Sequence, residues 1–190
     1  MKAEQIGKAL AWSRIITFPF MIILFFSVSR LICGFVYLIM FSTDALDGFF
    51  ARLMGKDGIE RRRLDSYGDV LYLIAGLVGF AYLETDFFLQ HLWLIIFLLL
   101  LYAIQLVVAL IKWRRPTSFH TIVARAAAFV QAGFFTFSFF FGVWEPLFWI
   151  TIVITLLDIA DELSLTFLLK DYQTGINSVL LHDRHKKRQK

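Results

Sequence analysis

Residues 44–69, DALDGFFARLMGKDGIERRRLDSYGD, join two strongly apolar runs and carry four aspartates, Asp44, Asp47, Asp65 and Asp69. A lone carboxylate at the end of a hydrocarbon-buried segment is costly. At about 100° per residue from Asp44, Asp47 falls near 300°, Gly48 near 40°, Ala51 near 340° and Arg52 near 80°. Two carboxylates, two small residues and a guanidinium therefore share one helical face. Asp65 and Asp69 are four apart and stack on one face of a second helix. An antiparallel pairing of these two helices would converge all four carboxylates.

Four like charges do not share a pocket unaided. Two unit charges about 4 Å apart repel by about 4 kcal/mol at an effective dielectric near 20. Two divalent cations balance four carboxylates, and all-oxygen ligation favours hard Mg²⁺, Mn²⁺ or Ca²⁺ over zinc. A two-metal carboxylate site beside an arginine suits phosphoryl-type displacement, with the metals screening a diphosphate and easing its departure.

These residues also resemble the signature of the CDP-alcohol phosphotransferases, D-x2-D-G-x2-A-R-x8-G-x3-D-x3-D. Asp44, Asp47, Gly48, Ala51, Arg52, Asp65 and Asp69 stand at its spacings, and Arg61 replaces its second glycine. The resemblance implies that Asp44, Asp47, Asp65 and Asp69 hold two Mg²⁺ or Mn²⁺ ions. It implies that Gly48 and Ala51 leave room for a nucleotide, that Arg52 meets a phosphate or buttresses an aspartate, and that Asp69 is the general base. The implied reaction moves a phosphatidyl group from CDP-diacylglycerol to a small hydroxyl acceptor and releases CMP. Glycerol 3-phosphate, serine and an inositol phosphate all fit as acceptors, with a phosphorylated one favoured. Arg61 could reach a phosphate, swing to the headgroups, or block the pocket and yield a catalytically altered member. Two other classes compete: a prenyl-diphosphate transferase, which fits DxxD but not the G-x2-A-R continuation, and a non-catalytic scaffold or ion transporter using the acidic pocket.

Outward from the signature, the composition is that of an integral membrane protein. The chain has 190 residues, 59% of them hydrophobic and 22 of them Phe, with a mean hydropathy of +0.71. That is too apolar for a soluble fold and leaves little for an extramembrane domain; residues 1–190 read as one membrane-embedded domain. One cysteine, Cys33, excludes an intrachain disulfide and reads as a small packing residue. No cleavable signal peptide is expected.

The expected architecture is all-α and polytopic, with six transmembrane helices at roughly 13–29, 31–52, 65–83, 88–112, 122–142 and 146–169. A short amphipathic helix is expected over 3–12, and a polar loop over 53–64 containing Arg61, Arg62 and Arg63. Of 19 Lys and Arg, only Arg30 falls on the side opposite the rest. The positive-inside rule then puts both termini and the aspartates at the cytoplasmic face of an inner or cytoplasmic-type membrane. The net charge of +4 thus reports topology, and no nucleic-acid partner is expected.

Two further constellations stand out. Thr117 to Thr121, TSFHT, precedes Arg125. By resemblance Arg125, with Arg114, Arg115 or His120, would meet the acceptor. Asp158, Asp161 and Glu162 share one face of the sixth span; pairing with Arg14 or Arg125 to hold helices together is the favoured role. Family members are commonly homodimers through their spans, so the resemblance implies a homodimer in a lipid bilayer.

Overall fold

The computed structural model of the chain describes residues 16–27, 29–53, 59–114 and 121–169. Regular structure among them is entirely helical. The helices are α1 (Ile16–Ser27), α2 (Arg30–Leu53), α3 (Ile59–Leu83), α4 (Thr85–Gln90), α5 (Leu92–Trp113), α6 (Ile122–Phe141) and α7 (Glu145–Leu168). Side chains of residues 43–53, 59–67 and 69 lie outside the description, although their helices are described. The expected amphipathic helix at 3–12 lies outside it altogether.

Two described helices, α5 and α6, are long and apolar enough to cross a membrane. The apolar parts of α1, α2 and α3, at Ile16–Ser27, Arg30–Ser42 and Val70–Leu83, are shorter. Every 18-residue stretch of α7 contains Asp158, Asp161 and Glu162 together, which keeps it apart from α5 and α6 despite its length.

Two expectations are corrected. α3 starts at Ile59 rather than 65, so Arg61, Arg62 and Arg63 lie in helix and not in a loop. Glu and Arg are strong helix formers, and a charged run can extend a helix past its apolar part. The expected fourth span splits at His91 into α4 and α5. His91 has φ −106° and ψ 14°, and its carbonyl accepts the N–H groups of Leu94 and Ile95 at 3.0 and 3.1 Å. Thr85 stands at the separate joint between α3 and α4: its hydroxyl donates to the carbonyls of Ala81 and Tyr82 at 2.9 and 3.1 Å, two of the four that a helix end leaves without partners.

The described contacts divide into two units, residues 1–89 with 132–144, and residues 90–131 with 145–190. The first has an aromatic core. Tyr37 is fully buried, stacks on Tyr72 with centroids 4.2 Å apart, and meets Phe139 edge-on at 5.1 Å. Phe25 meets Phe139 at 5.4 Å and Phe80 meets Phe134 at 5.1 Å, again edge-on. Such pairs add about 0.5–1.5 kcal/mol each beyond area burial. Close approach of the helices rests on small residues, as it does wherever lipid removes the usual hydrophobic drive. On α1, Met21 and Phe25 face inward while Ile16, Phe20, Ile23 and Phe26 form an exposed apolar stripe.

In the second unit α5 and α7 run parallel. Partners keep a near-constant offset, 57 between Gln105 and Glu162 and 54 between Lys112 and Thr166. Near their starts the His91 ring meets Phe148 and Trp149 at 5.0 and 6.0 Å. At their ends the Lys112 ammonium donates to the Thr166 and Phe167 carbonyls at 2.7 and 3.4 Å, a cation at the negative end of α7. Gln131 of α6 donates to Thr155 of α7 at 2.9 Å.

Candidate active site

The signature lies on α2 and α3, which form an antiparallel pair. Tyr72 Oη donates to the Tyr37 carbonyl at 3.2 Å, and the Phe41 and Tyr72 rings lie 5.9 Å apart. Gly76 faces the Tyr37 hydroxyl so closely that a Cβ there would come within 2.5 Å of it. At one end of the pair Arg30 forms an ion pair with Glu84. Opposed residues along the pair are thus Arg30 with Glu84, Tyr37 with Gly76, and Phe41 with Tyr72. Each advance along α2 is matched by a nearly equal retreat along α3.

Continuing this register reaches the aspartates. Asp44 is three residues beyond Phe41, and Asp69 is three before Tyr72. Helices of equal rise therefore hold Asp44 and Asp69 at one level, with Asp47 and Asp65 about one turn further on. The faces agree as well. Asp44 is seven residues beyond Tyr37, while Asp69 and Asp65 are seven and eleven before Gly76. Steps of seven and eleven return to within about 20° of the starting direction. By sequence position alone, Asp44, Asp65 and Asp69 continue the helical steps of Tyr37 and Gly76.

Gly48, Ala51 and Arg52 occupy the last two turns of α2, and their surroundings, like those of the four aspartates, lie outside the described side chains. The donor set itself fits a hard divalent ion, since four carboxylates offer only oxygen. Among the described side chains no group of three His, Cys, Asp or Glu could hold a metal.

Arg125 stands in the first turns of α6. Thr121 begins that helix: it is fully buried, and its Oγ1 accepts the Ala124 N–H at 3.0 Å, an N-cap of the usual kind. Part of the polar TSFHT patch is therefore a helix start. The exposed Arg125 guanidinium donates through Nε to the Thr121 carbonyl at 3.4 Å. A cation near the positive end of a helix is unfavourable unless something anionic meets it. Arg114 terminates α5 with φ 55°, its N–H donating to the Leu110 carbonyl at 2.8 Å. Arg115 and His120 lie outside the described residues.

The expected pairing of the α7 trio with Arg125 is not made among the described residues. Glu162 instead accepts from the Gln105 amide, while Asp158 Oδ1 and Asp161 Oδ2 are buried without a hydrogen-bond partner among the described residues. Arg14 lies outside the description. An uncharged amide from a neighbouring span satisfies a carboxylate without burying a second charge. Sequence reasoning passed over Gln105 and Gln131. The available signal was a polar amide inside a very apolar helix, since α5 reaches a mean hydropathy of 3.0 around Gln105. It passed over the Arg30–Glu84 pair for a different reason: the two are 54 residues apart and meet only through the fold.

Comparison with protein families finds a CDP-alcohol phosphatidyltransferase model that aligns with residues 5–157. Comparisons with curated proteins and with solved structures return no match. The matched region contains the whole signature, Arg125, and all helices from α1 to α6. Enzymes of this family transfer a phosphatidyl group from a CDP-alcohol to an alcohol acceptor. With four-fifths of its length covered by the family pattern, the chain belongs to the CDP-alcohol phosphatidyltransferase family.

Proposed function

We propose that the protein transfers the phosphatidyl group of CDP-diacylglycerol to a small hydroxyl acceptor and releases CMP. The observation that carries this is the α2–α3 register, which supports convergence of Asp44 with Asp69 and of Asp47 with Asp65 on adjoining turns of the helix pair. Two Mg²⁺ or Mn²⁺ ions, when bound there, supply positive charge to the diphosphate and to the departing CMP.

The chain's own residues do the rest. Gly48 and Ala51 present a flat helix surface to the nucleotide, and Arg52 pairs with a phosphate or steadies an aspartate. Asp69 takes the proton from the acceptor hydroxyl. The new O–P bond forms as the bond between phosphorus and the CMP oxygen breaks, and CMP leaves with that electron pair. Arg125, exposed and lacking an acidic partner among the described residues, binds the acceptor's anionic group, which favours a phosphorylated acceptor such as glycerol 3-phosphate or an inositol phosphate. Six spans place both termini and the aspartates at the cytoplasmic face, and the working unit is a homodimer.

A second reading has its own observation. Arg61 lies in α3 one turn before Asp65, on the same face. It either adds a phosphate contact or crowds the nucleotide, and the latter gives a catalytically altered member.

Purified protein in detergent, given CDP-diacylglycerol and candidate acceptors one at a time, tests the proposal. CMP should appear only with a divalent cation and a matching acceptor. No CMP release with any acceptor and metal would refute it.

A further inference from the structure

We propose that Arg30 and Glu84 are positioning residues for the signature carboxylates, fixing how far α2 is slid along α3. The inference rests on the metal-dependent reading above.

Arg30 opens α2 and is tied to two other helix ends. Its Nε donates to the Phe139 carbonyl at 3.0 Å and its Nη2 to the Ser138 carbonyl at 2.6 Å, in the last turn of α6. The same guanidinium forms an ion pair with Glu84, just past the end of α3. The ends of α2, α3 and α6 therefore meet on one rigid fork, which also neutralises the negative end of α6.

The other contacts between α2 and α3 do not fix the slide in the same way. The Tyr72 hydroxyl, at 3.2 Å from the Tyr37 carbonyl, makes one directional bond near mid-pair, while the Tyr37, Phe41 and Tyr72 rings attract without strong direction, so ring packing alone resists small axial shifts weakly. Gly76 against Tyr37 sets how close the helices come. The bonds from Arg30 to the α6 carbonyls are directional and weaken steeply with misalignment, and they aim the guanidinium whose ion pair holds Glu84 at the end of α3. The clasp, at the helix ends, therefore sets the length-wise register together with the Tyr72–Tyr37 bond. Asp44 lies 14 residues from Arg30 and Asp69 lies 15 from Glu84, about 21 Å along each helix. A shift at the clasp is carried to the carboxylates nearly unchanged by two stiff helices. Mg²⁺ holds its oxygens at about 2.0–2.1 Å in a near-octahedral shell, so a shift of even half an ångström matters there.

The clasp also accounts for a feature of the charge pattern. Arg30 is the sole Lys or Arg, of 19, that the topology reading puts on the far side of the membrane. A basic residue there works against the preferred orientation. Its ion pair with Glu84 and its bonds to the α6 carbonyls give it a reason to be there.

The test is Mn²⁺ binding to the full-length protein in detergent, read from the EPR signal of free Mn²⁺, beside thermal melting of the same samples. Arg30→Gln and Glu84→Gln should weaken Mn²⁺ binding about tenfold, the lower end of what loss of an orienting partner does to metal sites. Arg30→Lys, which keeps the charge, should recover part of that loss. Reduced melting temperature alone, with wild-type Mn²⁺ affinity in folded protein, would make the clasp merely structural and overturn the proposal. Should the neutral variants not fold, Arg30→Lys and Glu84→Asp decide by the same criterion. If the wild-type protein binds no Mn²⁺, the metal-dependent reading fails first and takes this inference with it.

Discussion

Replacing Gly76 by alanine adds one methyl group at the closest point between α2 and α3. The new Cβ would lie 2.5 Å from Tyr37 Oη and 2.6 and 2.9 Å from two ring carbons of Phe135. Neither ring has room to retreat. Tyr37 is 0% and Phe135 6% exposed, and Tyr37 is held by Tyr72 on one face and Phe139 at its edge. Restoring ordinary contact requires roughly 1 Å of helix separation or ring displacement. Overpacking of this kind costs about 1–3 kcal/mol, and alanine returns up to about 1 kcal/mol of helix propensity over glycine. The net expectation is about 1–2 kcal/mol of destabilisation, or a melting temperature lower by roughly 2–8 °C for a chain of this size. Gly133 is the control, because a Cβ there meets nothing within 4 Å. Gly133→Ala should raise stability by up to about 1 kcal/mol. Thermal melting of both variants in the same detergent reads the difference. A Gly76→Ala protein that melts at or above Gly133→Ala would refute the close packing from which the α2–α3 register is read.

Other expectations follow from single side chains. Thr121→Ala removes the cap of α6 at a fully buried position and should cost about 1 kcal/mol in thermal or denaturant unfolding, with Thr121→Ser recovering most of it. Asp69→Asn should abolish CMP release while CDP-diacylglycerol still binds; equal loss of binding would make Asp69 a metal ligand only. Arg61→Gly should leave CMP release unchanged or raise it, and complete loss of turnover would show that this arginine has a required role.

The family, and the helices that carry the candidate site, were legible in the sequence because the signature depends on spacing. Seven signature residues at fixed intervals needed only helical periodicity to fall on shared faces, and the helices that carry them appear where apolar runs ended in aspartates. The limits of α3 were not legible. Arg61, Arg62 and Arg63 read as loop on the premise that polarity ends a helix, whereas arginine forms helix readily and an apolar run marks only the part that meets lipid or protein. The α4–α5 break at His91 was hidden for the opposite reason, since apolar residues continue on both sides of it. The partners of buried charges were the least legible. Nothing local joins Arg30 to Glu84 or Glu162 to Gln105, because each pair is brought together by helices packing across more than 50 residues of chain. Periodicity says which face a residue is on, and only packing says what that face meets.

The central claim is that aspartates from α2 and α3 jointly seat two divalent ions, and counting those ions tests it most directly. Mn²⁺ titration of purified protein, with free Mn²⁺ followed by EPR, should give two bound ions per chain. Asp44→Asn and Asp69→Asn, one from each helix, should each lower that number or sharply weaken binding. A wild-type protein that binds no Mn²⁺, or binding indifferent to both substitutions, would contradict the account.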